Sequence, residues 1–181
     1  LSVQMEKWAG TPLMAYTHLQ PAEPSTLGYR LASYGQDVLQ DYLVMKDQLS
    51  KIKGKGFKGA VGTSATYAEL LGKENLVEFE KKLSKNLDLS FFSIVSQVYP
   101  RKQDYEVISA LAGLGASLYK MAFDLRLLQS PAIGEMGEPF GELQVGSSAM
   151  PFKRNPIRSE KINSLARTLA SLPHIAWDNA A

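Results

Sequence analysis

The residues most able to do chemistry lie between Gly146 and Pro156, where the chain reads Gly-Ser-Ser-Ala-Met-Pro-Phe-Lys-Arg-Asn-Pro. Two hydroxyls, two cations and an amide crowd this stretch, which runs into a predicted helix N-terminus. Such a terminus offers unpaired N–H groups and the positive end of a dipole. With Lys153 and Arg154 beside it, the stretch suits a carboxylate or a phosphate. A loop that merely caps a helix and leaves its charges in water has the same composition. The residues alone leave both readings open.

A second candidate is Thr17-His18-Leu-Gln20-Pro21. Histidine exchanges protons near neutral pH, so His18 could act as an acid or a base. Taken alone, a histidine held by backbone hydrogen bonds is the plainer reading. His174, among Leu172, Ile175 and Trp177, reads as structural. Gly54-Lys-Gly-Phe-Lys-Gly59 has the glycine spacing of a dinucleotide loop, but it follows a helix and no βαβ unit surrounds it. Its glycines read as a turn between helices. Gln97 stands with Tyr99, Arg101 and Lys102 ahead of a long helix. Cations at that end oppose the helix dipole, a mild misfit that points to an anionic partner.

Long helices must position these stretches. Leu27, Leu31, Tyr34, Val38, Tyr42, Met45, Leu49 and Ile52 recur every three or four residues and predict a helix over 25–52. Val107, Leu111, Leu114, Leu118, Met121, Leu125 and Leu128 predict another over 100–129, with a coiled-coil-like seam. Ile108, Ala112, Ala116 and Ala122 widen that face, so more than one neighbour packs there. Each rod is about 42 Å long, against a radius of gyration of about 16 Å for a compact domain of this size. Rods of that length bury their stripes in a bundle, with self-association expected. A third helix begins at Pro156, with Asn155 as its cap. Thr66-Tyr-Ala-Glu69 matches a capping box opening a shorter helix. Stretches 10–24, 53–64 and 130–155 are expected to be irregular. No strand pattern is convincing, although 91–99 could be extended. The fold class is therefore all-α, a long-helix bundle.

Composition narrows the function. The chain has 181 residues, 45% hydrophobic and 21% charged, with net charge +2 and no cysteine. That charge is too small to argue for nucleic acid or an anionic membrane as the main partner. Without cysteine there is neither a disulfide framework nor a zinc–thiolate site, which is compatible with a cytoplasmic setting. No run of about 18 apolar residues is present. The start, Leu1 to Trp8, has no signal-peptide pattern and reads as the last turns of a helix. The end, Ala176 to Ala181, has no stop signal. Both ends are expected to continue into further domains, which makes 1–181 a central helical segment.

Gly146 to Pro156 resembles the G-S-S-x-M-P-x-K-x-N-P signature of the fumarase/aspartase superfamily. Its continuation, Lys153-Arg-Asn-Pro-Ile-Arg-Ser-Glu160, resembles the branch that acts on adenylosuccinate. Tyr16-Thr-His-Leu-Gln-Pro-Ala22 is similar to the histidine region of that branch. Gly59-Ala-Val-Gly-Thr-Ser-Ala65 and the span from Gln97 to Leu128 are also similar to it. The likeness covers nearly the whole chain but only about the middle two-fifths of a typical member.

The resemblance implies a central long-helix domain, four copies of which form a core bundle. It implies elimination of fumarate from a C–N bond, with no cofactor and no metal. His18 falls on the general acid and Ser147 on the general base. Lys153 and Asn155 fall on groups that hold a succinyl carboxylate, and Gln97 on a substrate-binding glutamine. Thr17, Ser148 and Lys161 are further expected substrate contacts. Lys161 stands where some relatives have arginine, which keeps the charge but loses the planar fork. Sites shared between protomers are also implied, so the segment alone is expected to be inactive. Two other readings remain: a sibling lyase acting on argininosuccinate or a carboxymuconate-type acid, and a non-catalytic tetramer-forming helical module.

Overall fold

The computed structural model describes residues 1–181. In order, the elements are α1 (Ser2–Lys7), β1 (Pro12–Thr17), β2 (Gln20–Thr26), α2 (Leu27–Lys51), α3 (Ala65–Leu71), a 3-10 turn (Lys73–Asn75), α4 (Leu76–Leu87), α5 (Lys102–Leu128) and α6 (Ile157–Asp178). The fold is all-α with one small hairpin. Helices α2 and α5 lie within a residue or two of the spans their apolar spacing predicts, and α6 opens one residue after its expected start. Two compact units divide the chain: Leu1–Leu43 with Leu111–Ser171, and Val44–Ala110 with Leu172–Ala181.

In the first unit α5 is the common wall. Tyr34 on α2 donates its hydroxyl to Asp124 at 2.9 Å, and Lys120 pairs with Asp37 at 2.8 Å. Partner numbers fall on α2 as they rise on α5, so the two helices run antiparallel. On α6, Leu169 packs where Gly115 has no side chain. Asn163 donates to the Tyr119 carbonyl at 2.9 Å and accepts from Arg126 at 3.0 Å. This pair is antiparallel too. Tyr34, Ala122, Leu128 and Ala166 form the apolar core of this unit, and the buried Ser159 and Asn163 supply its polar part. Burial first, and then the Asp124 carboxylate that accepts its proton, push the Tyr34 phenol well above its ordinary range. It therefore stays a donor.

The second unit is held by smaller devices. Gly54 and Phe91 form a single parallel bridge. The rest of 91–99 makes no ladder, so the extended segment allowed by the sequence shrinks to one residue. Lys58 is buried, with its ammonium 2.9 Å from the Ser93 carbonyl and 3.2 Å from Glu80. Phe57, Tyr67 and Phe79 cluster with ring centroids 5.7–6.3 Å apart. Gly56 and Gly59 have φ of 76° and 72°, which fits turn residues and not a nucleotide cradle.

Four local expectations need correction. Residues 12–26 form a hairpin, although Pro12, Pro21 and Pro24 disguise any strand pattern. Helix α4 is absent from the sequence reading, yet Phe79, Leu83 and Leu87 step by four on one face. The capping box at Thr66 does not form: α3 begins at Ala65, two residues before a helix capped by Thr66 would, and no side chain caps it. Arg101 is not mismatched either. Asp104, in the first turn of α5, accepts from the Arg101 guanidinium at 2.6 Å and from the Tyr99 hydroxyl at 2.7 Å. The negative partner is built in, and Lys102 likewise faces Glu106 at 3.7 Å.

The apolar stripes are only partly covered. Tyr42 is 54% exposed and Leu49 71%, while Leu39 and Leu43 beside them are about half exposed. On α6, Leu165 and Trp177 are also largely in solvent. No helix is long and apolar enough to cross a membrane.

Candidate functional site

Thr17 ends β1, and His18 opens the hairpin turn. Thr17 pairs with Gln20 across it. His18 and Leu19 take φ of 51° and 62°. Two successive left-handed residues make the tight turn that matches strand twist, a position normally given to asparagine and glycine. In a histidine and a leucine that backbone costs about 1–2 kcal/mol per residue. Strain of this kind tends to persist where a side chain must be presented in one place. His18 is exposed and lines a cleft of about 470 Å³ with Tyr16, Tyr29, Arg30, Tyr34 and Asp124.

The signature segment forms a closed loop. Asn155 donates its amide to the Gly146 carbonyl at 2.9 Å, joining the two ends. A Cβ on Gly146 would run into the Lys153 carbonyl oxygen, so this glycine is required by close backbone approach. Ser147 turns the chain inside the loop. Its hydroxyl oxygen accepts the backbone N–H groups of Met150 at 3.1 Å and Ala149 at 3.3 Å. Ser148 and Lys153 point to solvent, and the Arg154 guanidinium lies 5.4 Å from the Phe140 ring centroid. Lys153, Arg154 and Asn155 line a cleft of about 660 Å³ with Arg126, Glu135 and Glu138. Lys161 is exposed in the first turns of α6. Gln97, also exposed, belongs to the other compact unit.

The start of α6 differs from the sequence expectation. Asn155 does not cap it, because its side chain is spent on Gly146. Helix α6 opens at Ile157, after Pro156. Its free N–H groups are taken by Glu138, which accepts from Ser159 at 2.6 Å and from Arg158 at 3.1 Å. The anion at this helix end is thus supplied by the chain itself. Any external anion must use Lys153, Arg154 and the loop, not the helix N–H groups. Burial raises the Glu138 carboxyl, but the Ser159 hydroxyl, the two N–H groups and the Arg158 charge outweigh it and hold the carboxyl below its usual range. The sequence carries little signal for this role, because Asn155 offers a good local cap and Glu138 lies in an irregular stretch well before the helix.

A stability prediction follows from the depressed carboxyl. Its contribution is present above the ordinary glutamate range and is lost as pH falls through the lower folded value. Glu138→Gln is expected to cost about 0.5–2 kcal/mol at neutral pH, as loss of a cap does. Thermal melts should show the gap between variant and parent closing toward acid pH. A gap of constant size would mean that the charge is not what holds the cap.

The model of the lyase family matches residues 1–170. The chain belongs to this family. As a lyase chain it is 42% identical to the adenylosuccinate lyase of Schistosoma mansoni over 164 residues, covering 86% of this chain and 33% of the relative. It is 38% identical to that of Saccharomyces cerevisiae over 164 residues, covering 89% and 34%. It therefore spans about a third of the length of these relatives. Among solved structures it is similar to the 3-carboxy-cis,cis-muconate lactonizing enzyme of Pseudomonas putida, with TM-score 0.79 and 29% identity over 96% of this lyase chain and 37% of that one. A Brucella melitensis fumarate lyase:delta crystallin structure has the same fold, with TM-score 0.79 and 24% identity over 99% and 39%.

Proposed function

We propose that the full-length protein eliminates fumarate from adenylosuccinate to give AMP, and from the succinyl-carboxamide ribotide of purine synthesis. The observation that carries this reading is the closed loop of 146–155, with Ser147 in its turn and Lys153 on its rim, in a chain 42% identical to a named adenylosuccinate lyase. Ser147 takes a proton from the carbon beside a succinyl carboxylate. The electrons freed there form the new C=C bond, and the C–N bond breaks. His18 gives a proton to the departing nitrogen, so proton and charge balance. A plain serine is a poor base and must be activated by its surroundings. Two N–H groups directed at its oxygen favour the alkoxide, as oxyanion donors do.

In this reading Lys153 and Asn155 hold the carboxylate on which negative charge develops. Thr17, Ser148, Gln97 and Lys161 are further substrate contacts, and no cofactor is needed. The uncovered stripe of Leu39, Tyr42, Leu43 and Leu49 supports a homotetramer whose sites draw on several protomers. An exposed apolar face of that kind marks an interaction surface. The segment alone is then a non-catalytic helical module, and the protein acts in the cytoplasm. A sibling activity on a carboxymuconate-type acid is the second reading, favoured by the likeness to the lactonizing enzyme.

The test is product release by the full-length protein offered adenylosuccinate, argininosuccinate, aspartate and a carboxymuconate lactone in parallel. Fumarate from adenylosuccinate alone is the expected result. Turnover of another of the four, with adenylosuccinate untouched, would keep the fold and overturn the substrate.

A further inference from the structure

We infer that Glu135, seated on Arg30, is a positioning residue for His18. The hairpin that carries His18 has a thin ladder of its own. Met14 stands opposite Pro24 and Tyr16 opposite Pro21, and the register slips between Met14 and Tyr16. Proline has no N–H, so Pro24 cannot give Met14 a donor. A lone two-stranded hairpin is marginal in water even with a full ladder.

Two side chains from outside the hairpin take up both backbone groups of Met14. Arg30 donates from Nη2 to the Met14 carbonyl at 2.7 Å. Glu135 accepts the Met14 N–H at 3.2 Å through Oε1. Its Oε2 accepts Arg30 Nη1 at 2.5 Å. The clasp is largely shielded, with the side chains of Arg30 and Glu135 only 13% and 19% exposed. Glu135 is fixed in turn, because its own N–H donates to the Leu128 carbonyl at the end of α5, at 3.1 Å. A hydrogen-bonded path thus runs from the end of α5, through Glu135, to Met14, and along β1 to the strained turn at His18. The planar fork of Arg30 matters, because one guanidinium must reach a carboxylate and a carbonyl together.

This role rests on His18 being the proton donor proposed above. The test uses the full-length protein with Glu135→Gln and, separately, Arg30→Lys, which keeps the charge and loses the fork. In both, kcat on adenylosuccinate should fall about tenfold to a hundredfold, the range expected when a reacting group is misplaced by about 1 Å. KM should change much less than kcat: Thr17 moves with the hairpin, but the loop of 146–155 keeps its own bonds. Amide exchange at Met14 should accelerate while the amides of α5 keep their protection. Unchanged kcat in both variants, beside an inactive His18→Ala, would overturn the clasp alone. So would a loss of kcat that tracks a general loss of protection in α5, which is the signature of a merely structural pair. Full turnover by His18→Ala would remove the acid assignment and the positioning role with it.

Discussion

Ser147→Ala in the full-length protein is expected to lower turnover of adenylosuccinate by about a thousandfold, within the 10²–10⁴ range that positioned proton transfer supplies. Substrate binding should hold within a few-fold, because Lys153 and Asn155 remain. Loss of the hydroxyl also removes the acceptor for the Ala149 and Met150 N–H groups, so a fall in rate could come from a loosened turn. Ser147→Asn separates the two causes. Asparagine closes the same kind of turn through its side-chain oxygen but brings no hydroxyl to deprotonate. If Ser147 is the base, both variants are inactive. If its work is only to shape the loop, Ser147→Asn recovers most of the rate. Single-turnover kinetics at saturating adenylosuccinate make the comparison direct.

Gly146→Ala is expected to cost at least a hundredfold in kcat while barely moving the melting temperature. The added methyl meets the Lys153 carbonyl oxygen, which is backbone and cannot rotate away. Relief requires the two ends of the loop to part, which breaks the bond from Asn155 to the Gly146 carbonyl and shifts Lys153. A displacement of about 1 Å at Lys153, in its proposed role of holding the substrate carboxylate, is enough for a hundredfold effect. The helices stand outside the loop, so stability is little changed. Normal kcat in this variant would mean that the closed loop is not the working conformation.

The two longest rods were legible in the sequence alone. Apolar residues at steps of three and four can be buried only on one side of a helix. That periodicity placed α2 and α5 to within a residue or two, and Pro156 marked the start of α6. The glycine, hydroxyl and lysine pattern of 146–156 likewise marked the stretch that folds into the closed loop. Helix α4 carries the same step at Phe79, Leu83 and Leu87, but so short a stripe did not place it without the fold.

Tertiary structure decided what the long-range partners were. The hairpin at 12–26 depends on Arg30 and on Glu135, the latter more than a hundred residues along the chain, and no local pattern records that dependence. The cap of α6 comes from Glu138, twenty-one residues before Ser159, and not from the adjacent Asn155, whose amide closes the loop instead. Asparagine before proline is a good local cap, and the local preference is worth only about 1 kcal/mol. A carboxylate delivered from another element, with two N–H bonds and a hydroxyl to satisfy it, outweighs that preference. The same arithmetic settles Arg101, whose conflict with the helix dipole disappears once Asp104 is seen to face it. Periodicity reports which face of an element is apolar. Which polar group answers which is settled only when distant segments meet and every buried donor must find an acceptor.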